Sequence, residues 1–427
     1  MSTNPLRIAL LASAFVPTWQ WDFSRSLSLP AGSTFTRGSS GTCFNASGTL
    51  VTAGSNVARY DYDPVSHASH GILIEQQSTN LYTYSADFTQ GAWNKARASI
   101  TANAASAPDG TNAAAKLVED NTASNNHQLY QNTNVAVSGV VYGASFFAKA
   151  GERTWCYIRF FGPAFSGSSA YFDLANGVLG TVESGITAII RAVGNGWYRI
   201  SASMAATGTG STPIVLSPTT GNGVQTYSGN GASGFYVWGA QLETDLGTTS
   251  YIPTTSAAAT RSQDVLSMPI ASLSGWDATK GGVLTASFRL HTRYPNNASG
   301  YDQTPIHIMG SGGSTDSWTV IAKIRNVDAS YGYMTAGGVG QGTRSLATVP
   351  AEFTRVRLAW GFGPTQTALG RNTTLTSGSG SYTTPTAGAP VIVYLGSYFN
   401  HGLGGSLEGV AHYRGERYAT FAQRVSQ

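Results

Sequence analysis

Apolar and polar positions alternate along most of this chain in short runs broken by Gly, Ser, Asn and Pro, the period-two pattern of half-buried strands. Between residues 75 and 266 the pattern predicts strands over 115–119, 127–132, 140–150, 155–160, 170–174, 188–193, 197–202, 214–217 and 235–241, with turns at Pro108-Asp109-Gly110 and Asn195-Gly196. Short strands at regular spacing, without a helix of useful length, are the mark of a sandwich or jelly roll. Beyond residue 264 the texture changes, and strands are predicted over 282–290, 305–310, 318–325, 331–335, 354–360, 391–395 and 407–413, with a helical turn over 417–425. The first 75 residues hold only brief extended pieces, at Phe35, 43–44, 49–51, 59–62 and 72–74. They carry too little contiguous apolar surface for a core of their own, so the segment should lie as a strap against a larger sheet domain or a neighbouring subunit. The fold class expected is all-β: an extended strap (1–75) before two tandem jelly-roll or β-sandwich domains (76–266 and 267–427).

Composition fits that picture. Only 11% of the 427 residues are charged, against about 25% in ordinary soluble domains, and Gly alone accounts for 51. Neutral hydroxyl and amide surfaces of this kind suit virion fibres and extracellular adhesins. The net charge is +4, but Lys and Arg stand singly and form no run that could follow a phosphate backbone, which argues against nucleic-acid binding. The two cysteines, Cys43 and Cys156, lack metal-type spacing and read as buried free thiols, with an inter-domain disulfide as the alternative. The apolar run over 8–16 after Arg7 imitates a short secretory signal, or serves as an N-terminal strand or docking segment. No stretch is long and apolar enough for a transmembrane helix, so no membrane insertion is expected.

Three sets of phrases carry resemblances. The order of turn signals and short apolar runs in residues 34–81, TFTRGSSGTCFNASGTLVTAGSNVARYDYDPVSHASHGILIEQQSTNL, resembles a module of tailed-phage virion proteins. VVYGASFFAKAGERTWCYIRF (140–160), GNGWYRISASM (194–204) and GFYVWGAQLETDLGTTSYIPT (234–254) resemble a family-4/9-type carbohydrate-binding module, a jelly roll of the galactose-binding-like class. GGVLTASFRL, FTRVRLAWGFG and SLEGVAHYRGERYATFAQRV more loosely resemble concanavalin A-like or laminin-G-like sandwiches. The resemblances imply a fibre, spike or decoration subunit on the surface of a phage particle. Its implied partners are other virion proteins, further copies of itself with a trimer favoured, and host surface polysaccharide.

Candidate chemistry follows from the strand pattern. Alternation places Trp155, Tyr157 and Arg159 on one face of their strand, and Cys156, Ile158 and Phe160 on the core face. Two aromatics beside an arginine on the wetter face make a platform on which sugar C–H groups stack while polar side chains read hydroxyls. Tyr130 shares a face with Gln128 and Asn132 and is a fourth candidate; coverage of these aromatics by the strap or by another subunit is the alternative. Trp93, in QGAWNK, resembles a position that the module family uses just after its first strand, which implies an edge anchor that packs, and either side of the strand holding Trp238 could be core. Asp61 and Asp63 point the same way from one strand, which permits a hard cation. Modules of the resembled family often hold a structural calcium, and the resemblance makes Asp61, Asp63, Asp87 and Glu243 its candidate ligands. A salt bridge from Arg59 or Arg37 to one of these acids is the alternative. His67 and His70 follow Pro64 in a turn-rich stretch and read as solvated loop. No GxSxG, HExxH, P-loop or dinucleotide fingerprint is present and no acidic pair stands out, so no enzyme activity is expected, with a capsule depolymerase as the remote alternative.

Overall fold

The computed structural model describes residues 17–132, 136–211, 213–244, 248–273, 282–291, 302–310, 319–325, 329–336, 339–347, 353–362, 366–372, 374–379, 390–398, 401–403 and 405–413. The apolar run over 8–16 and the turn expected over 417–425 lie outside these residues. The described chain is all-β, its only helical element being a single 3-10 turn at Ile270–Ser272.

Two six-stranded sheets form the central body. One runs in the order Ile186–Ala192, Trp197–Ala205, Val141–Lys149, Gly234–Glu243, Ala114–Glu119 and Ala98–Ala105. The other runs Val178–Val182, Ser169–Asp173, Trp155–Phe160, Pro213–Thr219, Gln128–Asn132 and Asn94–Ala96. Alternation selects what lies between them. Tyr142, Ala144, Phe146 and Ala148 from the first sheet share one buried cluster with Cys156, Ile158, Phe160, Phe172, Leu129 and Leu216 from the second. Each large apolar side chain so enclosed contributes about 1.5–3 kcal/mol. Trp93 joins this cluster and anchors its indole N–H on the Tyr84 carbonyl at 3.0 Å, the packing role that the resemblance implied. Side chains pointing the opposite way from the first sheet, Phe147, Trp197 and Trp238, form a smaller cluster with Tyr251. Phe44 and Leu50 of the hairpin Gly41–Phe44/Leu50–Ala53 complete it from outside. Both cysteines are buried free thiols, and burial pushes Cys43 up to about 12.

The second sandwich is woven from both ends of the chain. Gly282–Leu290, Arg355–Phe362 and Gly405–Tyr413 pair side by side, and Ser69–Ile74 and Tyr60–Tyr62 extend the same sheet past Gly405–Tyr413. Trp19–Asp22 also pairs with Gly405–Tyr413. In the facing sheet, Thr34–Thr36 pairs with Val265–Pro269, which continues into Pro390–Leu395. Trp19, Phe23, Phe35, Ile72 and Ile74 enter one cluster with Leu284, Phe288, Ile306, Trp360 and Val393. The N-terminal segment therefore lies against a larger domain by supplying strands to it and sharing its core, while its hairpin at 41–53 rests on the jelly roll.

Where these parts meet, five charged side chains are shut away from water. Arg37 bonds Asp264 at 3.0 Å, Arg59 bonds Glu75 at 2.8 Å and also Asp264, and Arg261 stands 3.5 Å from Glu75. All five are at most 2% exposed at the side chain. The two arginines that could have paired with the candidate calcium ligands thus pair elsewhere. Burial alone would raise the Glu75 carboxyl, but Arg261 and Arg59, with two hydrogen bonds from Ser250, hold it well below its ordinary value of 4.5. A carboxyl depressed in the folded state contributes stability that is complete above its unfolded value and lost as pH falls towards the folded one. Equilibrium denaturation at stepped pH should accordingly show stability falling once pH drops below about 4.5, less steeply in Glu75→Gln. A stability flat from pH 6 to about 3 would contradict this account of the cluster.

Candidate functional site

The strand Trp155–Phe160 sits in the middle of its sheet, so its outward side chains are flanked on both sides. Register places Tyr157 between Tyr171 and Ser217, and Arg159 between Ser169 and Val215; Tyr130 stands beyond Val215 in the same row. Trp155 lies between Asp173 and Thr219. The four residues read as a sugar platform therefore share one face, three on one strand and Tyr130 two strands away. The rings of Tyr157 and Tyr171 pack 5.3 Å apart at 41°.

That face is not open to water as the alternation suggested. Tyr157 is fully buried and Tyr171 is 1% exposed, while Trp155, Arg159 and Tyr130 are half-buried. Part of the cover is the chain's own loop over 220–230, which follows Pro213–Thr219. Gln225 Oε1 accepts from Arg159 Nη1 at 2.6 Å, and its amide donates to the Ser169 hydroxyl at 3.1 Å. Thr219 ties the near end of the loop by donating to the Val224 carbonyl at 2.5 Å. Glu119 ties the far end, accepting from Tyr227 Oη at 2.7 Å, Arg153 Nε at 2.7 Å and the Asn230 N–H at 3.0 Å. Burial alone would raise the Glu119 carboxyl, and these donors hold it below its ordinary range. Gly180 lets the neighbouring edge strand pass: a Cβ there would stand 2.6 Å from the Trp155 ring and 2.4 Å from Asn222 Oδ1.

Beneath this roof the polar groups are incompletely used. The hydroxyls of Tyr157, Tyr171 and Ser217 and the Nε of Arg159 are buried and make no well-formed hydrogen bond, although Ser217 lies beside Tyr157 and Gln225 beside Tyr171. Burial pushes both phenols above their ordinary range. Leaving such a group unpaired costs about 1–3 kcal/mol. Tyr157 with Ser217 and Tyr171 with Gln225 are near enough to satisfy part of this between themselves, and the remainder suits a molecule whose hydroxyls both donate and accept. Tyr171, Ser217 and Gln225 were not picked out in the sequence; the register that makes them neighbours of Tyr157 and Arg159 is long-range information.

The four acids expected to hold calcium are dispersed among separate tasks. Glu243 is buried and accepts from Ser78, Thr249 and Gln241 side chains. Asp87 closes a surface turn by accepting from Thr89 and Gln90. Asp63 accepts from the N–H groups of Val65 and Ser66 and faces Arg191 at 3.8 Å. Asp61 is buried beside His70, which lies on Ser69–Ile74 and is 7% exposed, so the solvated-loop reading of His70 does not hold. Among the described residues, the group of His, Cys, Asp or Glu side chains close enough to share an ion is Asp61, His70 and His291, which includes just one of the four. Compared with known proteins, the chain matches no family model and no curated protein sequence.

Proposed function

We propose that this chain is a non-enzymatic structural subunit of a phage virion, and that its jelly roll contacts host surface polysaccharide through the face carrying Trp155, Tyr157, Arg159 and Tyr130. The observation that carries the binding half is the set of four buried polar atoms, from Tyr157, Tyr171, Ser217 and Arg159, lacking a well-formed hydrogen bond beneath the 220–230 loop. The virion half rests on the resemblance of residues 34–81, set ahead of the jelly-roll phrases. A saccharide edge would meet the half-buried Trp155 and Tyr130 rings and the Arg159 guanidinium first. Its hydroxyls would reach the two phenols and Ser217 as the loop, with Gln225, lifts from Arg159 and Ser169. Affinity per site would be weak, with many copies on a particle supplying avidity.

A glycan array and titration with host capsule polysaccharide test the binding half. Arg159→Ala should weaken binding about tenfold or more, since a charge-assisted hydrogen bond is worth about 1.5–3 kcal/mol. Lys149→Ala, on the other sheet, should leave it unchanged. A wild-type protein that binds no polysaccharide would remove the reading.

One observation favours a second reading, a purely architectural subunit. Tyr157 and Tyr171 are almost wholly enclosed by the chain itself, which suits a face that only consolidates the domain. Imaging of the assembled particle separates the two, because subunit contacts across the 220–230 loop would favour architecture.

A further inference from the structure

We infer that Asp61, His70 and His291 form a binding site for a divalent transition metal of the zinc class, built where the N-terminal strands join the C-terminal sandwich. The three ligand atoms are Asp61 Oδ2, His70 Nδ1 and His291 Nε2. Asp61 Oδ2 stands 3.6 Å from the first nitrogen and 3.9 Å from the second, and all three atoms lie within 4.8 Å of one another. A triangle with these sides has a point about 2.4 Å or less from every corner, against about 2.0–2.2 Å for zinc bonded to imidazole or carboxylate. Tetrahedral zinc sets its ligand atoms about 3.4 Å apart, so the two Asp61 separations must close by a few tenths of an ångström and the two imidazoles approach one another, with a fourth ligand completing the coordination.

The surroundings are those of a built site. His70 Nδ1 is buried with no hydrogen-bond partner within 3.5 Å, its nearest acceptor being Asp61 Oδ2 at 3.6 Å, and the side chain is 8% exposed. The other carboxylate oxygen of Asp61 accepts from the Phe44 N–H at 3.2 Å, which fixes the group and leaves Oδ2 facing the two rings. Ser406 closes a further side: its hydroxyl donates to Asp61 Oδ2 at 3.5 Å and sits 3.0 Å from His291 Nε2. The rings of His70 and His291 meet edge to face at 6.2 Å, so their nitrogens converge without the rings stacking. A cavity of about 60 Å³, lined in part by Asp61, His291, Arg191 and Phe353, adjoins the group and leaves room for a water or anion as a further ligand.

Ligand chemistry selects the metal. Two imidazoles and one carboxylate suit zinc, cobalt, nickel or ferrous iron, whereas calcium takes oxygen ligands in sixes to eights. Arg191 is the opposing influence: its guanidinium, stacked 4.4 Å over Phe353 and facing Asp63, adds positive charge near the site. The strand partners give the ion a mechanical consequence. Ser69–Ile74 and Gly282–Leu290 flank Gly405–Tyr413 on opposite sides, so an ion held by His70 and His291 would clamp across it.

The test uses the full chain, freed of metal with a chelator and titrated with Zn²⁺ and with Co²⁺ as a spectroscopic probe. The expected result is one ion per chain, visible cobalt bands of nitrogen–oxygen ligation, and a melting temperature raised by Zn²⁺ but not by Ca²⁺. His70→Ala and Asp61→Asn should each weaken binding at least about 100-fold, exceeding the loss typical of an outer-sphere partner, while His67→Ala leaves it intact. If either variant fails to fold, cobalt-shifted imidazole resonances in the wild-type protein supply the answer: two shifted histidines are expected. Absence of one-to-one Zn²⁺ and Co²⁺ binding, binding that survives His70→Ala, fewer than two shifted histidines, or equal stabilisation by Ca²⁺ would overturn the inference.

Discussion

Replacing Asp264 with alanine is expected to cost about 3–5 kcal/mol of stability, the scale seen when one member of a buried ion network is removed. Asp264 is the hub of the cluster between the two sandwiches. Oδ1 accepts from Arg37, and Oδ2 accepts from Arg59 and from the Glu75 N–H at 2.9 Å. Without it, Arg37, Arg59 and Arg261 face one carboxylate, Glu75: the fully enclosed Arg37 guanidinium loses its carboxylate partner and Arg59 loses one of two. Burial already pulls the Arg37 guanidinium below its ordinary range, with Asp264 the main opposing influence, so its loss falls directly on that residue. The cluster cannot loosen to admit water easily. Gly41 is packed among the three arginines so closely that a Cβ would stand 3.2 Å from both Arg37 Nε and Arg59 Cδ. Urea denaturation of Asp264→Ala against wild type measures the difference, and Asp264→Asn should recover part of it by keeping acceptor and shape. A loss below about 1 kcal/mol would mean that the network is energetically idle.

Gly71→Ala should be comparably damaging, at about 3 kcal/mol or more, through backbone rather than charge. Gly71 lies in the left-handed region at φ +85°, which alone costs an alanine about 1–2 kcal/mol. The added methyl would also stand 2.1 Å from the Leu407 carbonyl and 2.8 Å from Glu408 Cα, both backbone atoms of the neighbouring strand. Relief requires Ser69–Ile74 to part from Gly405–Tyr413, giving up the pairings of Ile72, Leu73 and Ile74 with Leu407, Ser406 and Gly405. Hydrogen exchange should therefore speed up over 72–74 and 405–407 while the jelly-roll strands keep their protection. Unchanged exchange there would show that the strand tolerates the methyl and that the close approach has been misjudged.

Strands that bury one face were legible from alternation, as in Trp155–Phe160, where Cys156, Ile158 and Phe160 do enter the core. Several edge strands that bury neither face were not, although Ile186–Ala192, another edge, was. Asn94–Ala96, Ala98–Ala105 and Val178–Val182 are all sheet edges, and most of their residues are exposed or half-buried. Such strands are held by their backbone ladder, and backbone groups are the same in every sequence. His70 was misplaced for a related reason: Pro64 and Ser66 announce a turn, but nothing nearby announces that the next strand will be enclosed by residues more than 200 positions away.

The sequence by itself determined the all-β class and which side of Trp155–Phe160 faces the core, because side-chain alternation is a property of one strand and its local solvent preference. Tertiary structure alone decided which strands pair, and with that nearly everything about sites. It brought Tyr171 and Ser217 beside Tyr157, folded the 220–230 loop over them, gathered Asp264 with three arginines, and joined Asp61 and His70 to His291. Each of these depends on hydrogen-bonding edges and buried volumes that meet only when distant segments have folded together.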